Sequence, residues 1–544
     1  MKKFKFLMMA VATMMLATLA GCNDKIDGID DGVIDDGTAK AYLSVMINIP
    51  NNGNATKNTE HSGTDEIGTT AETDIKNVTL YFFSVSSVAT SSNYDYAGTY
   101  LQTLFVSSMG TGITSGNVVG YTSTTQTVTG LVAGGNYHVY AVVNGATNLV
   151  LTSATTEREF LDNSRVTGNY NTTGLVGATA HTTNGWLMSS RGAAIWNGRT
   201  EAFFPLGIAL NNSLAFPATA TLNVERVMGK LDLTAHTSNE YSVVDGASVE
   251  YAKVEILDAK VMNTRKDGYL FRHMTSISQT NANAFFGASE VDGFAPLVSP
   301  TYDVNKVIDS QADYIIDPQT KNKNLTTLAS SHANWYHAMS GAIAMPAVGI
   351  TQTLGYTLEN TMHSTMQLNG FTTGLKFRAQ VRPVNIIVST GPGTNASIAW
   401  TAAAYPTFYS HDNKFYNNVQ AMTDAGIPIN DVVVTDAVFS SGVSADIEAA
   451  FEELKLNNVT RCDNGICYYN YWIKHQTDDQ HMAVMEYGIV RNNVYKMKVT
   501  GISRIGESTE DIDPEEENEK TEVFIKVELN VLPWIIRLND DIIL

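Results

Sequence analysis

Cys462 and Cys467, with His475 and His481 downstream, are the residues of this 544-residue chain whose types and spacing most invite chemistry. Thiolates and imidazoles are zinc ligands, so such a set could hold a structural metal. The spacing argues against it. Zinc knuckles place their cysteines closer together, and His475 and His481 are not set at the usual short helical interval. Asn464-Gly465 between the thiols is instead a strong signal for a two-residue hairpin turn. Such a turn sets Cys462 against Cys467 on adjacent strands, which in an oxidising compartment reads as a disulfide; free thiols rank second and a metal third. His332 and His337, in SHANWYH, match no common ligand pair. Gly391-Pro-Gly393-Thr-Asn-Ala396 follows the apolar run VNIIV and imitates a dinucleotide fingerprint. That fingerprint needs a helix opening at its last small residue, whereas SIAWTAAAYPTFYS follows and Pro406 interrupts it. The Asp-Gly repeats of NDKIDGIDDGVIDDGTAK (23–40) suggest a calcium loop, but its third ligand position falls on Ile29 or Ile34. No G-x-S-x-G, H-E-x-x-H or P-loop occurs. The chain reads as a non-enzyme without cofactor or metal.

The third cysteine belongs to a targeting segment. Lys2, Lys3 and Lys5 precede an apolar stretch ending in Leu19-Ala20-Gly21-Cys22, similar to a bacterial lipobox. Residues 1–21 are therefore expected to be a signal peptide removed by signal peptidase II, with Cys22 acylated on its thiol and amine. Residues 22–40 form an acidic tether that resembles the surface-export signal of Bacteroidetes lipoproteins. No other run reaches the roughly 18 apolar residues of a membrane span. A net charge of −20 excludes nucleic acid, whose phosphates need clustered Lys and Arg.

The remaining residues are too many for one ordinary core, so two or more domains are expected. Charged residues are only 17%, and 41 glycines accompany frequent Ser, Thr and Asn, a mix that suits an all-β exported protein. Strand patterns fall at Ile75 to Ser84, Thr125 to Val132, Tyr137 to Val143 and Thr221 to Leu233. Only Val443 to Leu456 reads as a helix, with Ser444 as its N-cap and Ile447, Ala450, Phe451 and Leu454 on one face.

The two ends carry similar strands. Leu43, Val45, Ile47 and Ile49 alternate with polar or amphipathic residues near the start. Val523, Ile525, Val527, Leu529 and Val531 do the same near the end, and a further strand from Trp534 adds Ile536 and Leu538 as later anchors. The first strand (41–50) leads into a polar loop (51–74) exposed to proteolysis. The last comes after the acidic run 513–519, read as a linker that detaches it from the body. Either segment could fill one apolar groove, which is the arrangement of a polymerising subunit.

At Tyr468-Tyr-Asn-Tyr-Trp-Ile-Lys-His475, Met485-Glu-Tyr-Gly-Ile-Val-Arg-Asn-Asn-Val-Tyr495 and Lys496 to Ile502 the chain resembles the Mfa1/FimA family of major fimbrial subunits. These are the type V pili of Bacteroidia, and the likeness is closer to the Mfa1 branch. LYFF (80–83), YHVYAVVN (137–144), VERVMGKL (224–231), YTLEN (356–360), TFYSHDNKFYNN (407–418) and the terminal strand through Pro533-Trp534 add to it. The resemblance implies two transthyretin-like β-sandwich domains, placed at 41–220 and 221–512, with a detachable segment at 513–544. It also implies a lipoprotein precursor on the outer-membrane surface whose loop is cut by a maturation protease, releasing lipid and first strand together. The emptied groove then takes the last strand of an identical subunit, in a fibre with accessory anchor and tip proteins that supports adhesion and biofilm formation. The family usually offers Arg at the cut. Here the first Arg is Arg158, and the loop offers Lys57. Two other readings differ in class or role: a monomeric glycan-binding lipoprotein stacking sugars on Trp186, Trp335 or Trp472, and an uncleaved anchor or tip subunit.

Overall fold

Alternating apolar residues build most of this chain into sheets, and the computed structural model shows how those sheets share two main cores. It describes residues 40–535 except 51–65, 68–71, 73, 86–97, 116–117, 146–148, 150, 168–184, 193–205, 237, 272–274, 277–312, 315–335, 337, 363–366, 402–404, 476–480, 483–485 and 520–523. The first strand, Lys40–Pro50, lies inside a ten-stranded sheet. Its order is Tyr100–Val106, Val78–Ser84, Asn136–Val143, Met188–Gly192, Ala218–Arg226, Lys40–Pro50, Val118–Thr122 and Ile113–Ser115. Leu206–Ala209 and Gln126–Thr129 pair off this path. Leu80, Phe82, Val139, Leu222 and Val224 fill the core beneath it.

The change of sheet comes at Val227. The run Thr221 to Leu233, read from sequence as one strand, is two: Ala218–Arg226 in the first sheet and Met228–Thr234 in the next. Apolar residues fall at Leu222 and Val224 before the break and at Leu231 and Leu233 after it, so the alternation changes phase at Val227. Beyond it, two sheets face each other across a second core. One contributes Leu231, Leu233, Tyr495, Met497 and Val499, the other Val254, Ile256, Leu375, Phe377 and Tyr469. This is sandwich packing, with the inner faces of two sheets interdigitating.

Between Gly374–Pro383 and Ile466–Trp472 the chain inserts a third five-stranded sheet with its own small core of Tyr409, Met422, Val434, Ala450 and Leu454. Helices among the described residues are short. Ser444–Leu456 is the longest, and there Ser444 is the first helical residue rather than the N-cap, because Val443 holds that position without a side-chain bond. Ala450 and Leu454 form the buried stripe expected of it. No helix among the described residues is long and apolar enough to cross a membrane.

Candidate strand-exchange site

The first strand sits between two neighbours. It runs parallel to Ala218–Arg226, from Leu43 opposite Ala218 to Asn48 opposite Asn223. On its other side it runs antiparallel to Gln126–Thr129 and then to Val118–Thr122. Val45 is held further by Ser123, whose Oγ accepts from the Val45 N–H at 3.0 Å and whose N–H donates to the Val45 carbonyl at 2.9 Å. Leu43, Val45 and Ile47 are 0% exposed and Ile49 1%, with Ala41 completing the inward row. These are the residues that the period of two assigns to the inner face. Taking this strand out would leave five apolar positions and two rows of unpaired backbone groups.

The last strand, Ile525–Ile535, has a berth of its own within the same chain. It runs antiparallel to Asn493–Ile502, from Ile502 opposite Ile525 to Asn493 opposite Pro533. Ile525 is buried in the second core, and Val527 and Leu529 pack against that core. Lys526 and Glu528 face outward, Glu528 pairing with Lys498 at 2.5 Å. The predicted phase of the strand is thus the observed one at these positions, and Val531 continues the ladder opposite Tyr495. Its outer neighbour is the short strand Glu66–Ile67, parallel to Trp534 and Ile535. That short strand belongs to the loop after the first strand, so the loop joins the two ends of the chain.

The acidic run does not act as a free spacer. The Asn369 N–H donates to the Glu516 carbonyl at 2.9 Å, Gly370 to Pro514 at 3.0 Å, and Asn518 to Gln367 at 3.1 Å. Asn518 is buried and bonded to Thr372 and Asn369. Lys260 and Lys474 take up Glu510 and Glu519. Acidic composition suggests a solvated linker. Backbone hydrogen bonding, which composition does not report, fixes it to the body.

A buried polar junction lies between the two strands' sheets and is not visible in the sequence. Arg226, fully buried, donates from Nε and Nη2 to the Glu72 carbonyl at 3.0 and 2.9 Å. Burial lowers its pKa to about 10, an effect that Glu72 opposes, so it stays charged near neutrality. The Glu72 carboxylate accepts from Lys230 at 3.1 Å and from the Tyr356 hydroxyl at 2.7 Å. Asn492, with φ 58°, receives the Arg226 N–H at 3.3 Å. Arg491 meets Glu359 at 3.0 Å and donates to the carbonyls of Leu270 and Tyr269. Arg491 and Asn492 of the block at 485–495 are therefore a structural staple. Glu72 is the far end of the 51–74 loop, so this junction anchors the chain on the C-terminal side of the expected cut. Lys230→Ala, which removes the ammonium 3.1 Å from the buried Glu72 carboxylate, is expected to lower stability by about 3 kcal/mol in equilibrium urea unfolding.

The other sequence candidates separate cleanly. Asn464 and Gly465 form the expected hairpin turn, with φ 52° and 71°. Cys462 and Cys467, however, are free buried thiols in place of the expected disulfide. Cys462 pairs in register with Phe408 in the inserted sheet, and Cys467 with Ala379 in the sandwich. Burial raises the pKa of both, Cys467 to about 11, so the thiolates needed for oxidation are scarce. His475 is buried with Nδ1 2.9 Å from the Tyr495 hydroxyl, while His481 is exposed beside Glu517. Among the described residues no group of three His, Cys, Asp or Glu side chains is placed to hold a metal. Gly391 and Gly393 turn one hairpin between Asn385–Gly391 and Thr394–Ala399, so a strand rather than a helix opens after the turn. Trp186 is buried against Tyr356 at 4.0 Å between ring centroids, and Trp472 is buried, so neither offers a face to sugar. Cys22, Lys57, His332, Trp335, His337, Val523, Ile536 and Leu538 lie outside the described residues.

Residues 461–540 match the family model described as "Major fimbrial subunit protein type IV, Fimbrillin, C-terminal". No curated protein matches the chain. Among solved structures, a putative cell adhesion protein from Parabacteroides distasonis is 12% identical with a TM-score of 0.37, over 91% of this chain and 100% of that one. A fimbrillin from Porphyromonas gingivalis is 13% identical at 0.33, over 91% and 99%. The tip fimbrial protein Mfa3 of the same organism, with a C-terminal truncation, is 11% identical at 0.33, over 91% and 100%.

Proposed function

We propose that this chain is a structural shaft subunit of a cell-surface fimbria, of the Mfa1 type, that polymerises by donor-strand exchange and supports adhesion and biofilm formation. One observation carries the reading. The first strand is an interior strand with a fully buried face, so its removal would open a groove; the reading puts the cut at Lys57 in the loop after it. The fimbrillin match over 461–540, which includes the last strand, supports the same reading. The subunit is anchored to the outer membrane through lipid at Cys22 until the protease cuts. The freed groove then accepts the last strand of another copy, which meets both the unpaired backbone and the apolar trough by β-augmentation. Partners are identical subunits and accessory anchor and tip proteins.

The intrachain berth of the last strand sets the energetics. Before exchange, that strand already satisfies its hydrogen bonds on Asn493–Ile502. The groove offers strand neighbours on both sides where the berth offers one long neighbour and a two-residue one, and irreversible loss of the first strand is what makes the groove available. The test is Lys57→Ala. The variant is expected to stay lipidated and monomeric on the cell surface, with no polymer band on unheated gels. Fibres of normal length from this variant would rule out cleavage at Lys57, and an uncut wild-type protein at the fibre end would mark an anchor or tip subunit instead.

A further inference from the structure

We propose that Val132, Leu214 and Phe216 form a docking surface for the next copy of this chain, at the end of the groove where that copy's strand enters. The inference rests on the strand-exchange reading and adds a second contact to it. Among the described residues the groove has one accessible end. At its Pro50 end, the parallel neighbour Ala218–Arg226 runs straight into Val227 and Met228, and Arg226 bonds Asn492 of the sandwich domain. Leu358, opposite Met228, and Val494, opposite Lys230, join the first core just beyond that point. The chain's own second domain thus closes that end, and an incoming copy must approach from Lys40.

The Lys40 end is framed by two turns bonded to the first strand or to each other. Tyr42 N–H donates to the Asn211 carbonyl at 2.7 Å, and Gly134 N–H to the Leu210 carbonyl at 2.7 Å. Asn211 Nδ2 in turn holds the Phe216 carbonyl at 2.7 Å. Lys40 itself lies opposite Thr129, from which the chain turns through Leu131 to Val132. These turns carry Phe216 at 76% exposure, Leu214 at 61% and Val132 at 63%, large apolar side chains left in water. Isolated exposed apolar residues need no explanation, but three around the mouth of one groove mark an interaction site.

Charge fits a second copy of this chain as the occupant. The chain carries −20 overall, so two copies repel wherever their acidic surfaces meet. The turns GLVAGG (130–135) and NNSLAFP (211–217) hold no charged residue. An uncharged apolar collar at the mouth lets a second acidic copy come close, and a head-to-tail contact of this kind propagates into a filament.

The test is Val132→Ser with Leu214→Ser and Phe216→Ser in the cleaved full-length subunit. All three side chains are exposed, so the melting temperature should be unchanged. A peptide of residues 521–544 should bind the cleaved variant as well as it binds cleaved wild type, because the groove is intact. The concentration at which fibres form should rise by about tenfold or more, since hot-spot side chains are lost. Unchanged fibre formation with normal peptide binding would overturn the docking surface alone. Weaker peptide binding by the variant would also overturn it, by showing that these residues shape the groove instead. Failure of the peptide to bind cleaved wild type would defeat the strand-exchange reading beneath it.

Discussion

Oxidising a subunit that carries Lys498→Cys and Glu528→Cys is expected to abolish fibre assembly, and reducing it to restore assembly fully. Lys498 and Glu528 are register partners on Asn493–Ile502 and the last strand, and their side chains already meet at 2.5 Å. Directly opposed residues on antiparallel strands hold their Cβ atoms about 4.5–5.5 Å apart, within small adjustment of disulfide geometry. Both positions are part-exposed and outside the core, so the exchange costs little stability. The native thiols are buried and do not compete. Locked this way, the last strand cannot leave, although the protease still removes the first. Deleting the strand is a poorer experiment. Ile525 is buried in the second core with Phe524, Val527 and Leu529 packed against it, and truncating Ile525 alone costs about 2–5 kcal/mol. Electron microscopy and gel filtration of cleaved protein, oxidised and reduced, give the readout. Fibres from the oxidised form would show that the strand from Ile525 to Ile535 is not the donor.

The strands at the two ends are legible because each is half of a simple pattern. Leu43, Val45, Ile47 and Ile49 repeat with a period of two, and only one face of such a strand can be inward. Asn464-Gly465 and Gly391-Pro-Gly393 announce their turns by the positive φ that these residues tolerate. Sequence does not report pairing at a distance. Nothing in Glu66–Ile67 suggests that it lies against Trp534 and Ile535. The acidic run departs from its expected role because charge predicts solvation, whereas its carbonyls are taken by Asn369 and Gly370. Glu72, in a polar loop, is indistinguishable from a solvent-facing Glu until Arg226, Lys230 and Tyr356 are seen around it. Arg226 and Lys230 carry a faint signal, as cations at apolar-strand positions where burial demands a partner. The cysteines depart from expectation for a related reason. The turn between them is the predicted one, but each strand of that hairpin belongs to a different sheet.

A synthetic peptide of residues 521–544 is expected to cap cleaved subunits at about one equivalent and to leave uncut subunits untouched. The donor strand of a whole subunit must first give up its berth on Asn493–Ile502, so its competent fraction is reduced. The peptide has no berth to leave and competes for the same groove with that advantage. Filling five aliphatic positions contributes roughly 7–15 kcal/mol gross, against the loss of freedom on binding. The uncut subunit offers no vacancy, because Leu43, Val45, Ile47 and Ile49 occupy it. Using a peptide also separates two roles that the whole chain confounds, since Val527 and Leu529 pack in the subunit's own core. A peptide with Val527→Asp and Leu529→Asp would carry unpaired carboxylates into an apolar trough, at a cost of several kcal/mol, and should not cap. One with Lys526→Ser and Asn530→Ser, altered on the opposite face, should cap nearly as well as the parent. Light scattering of growing fibres, titrated with each peptide, measures the order directly. Equal potency of all three peptides, or equal binding to cut and uncut subunits, would mean that the groove is not filled by this strand.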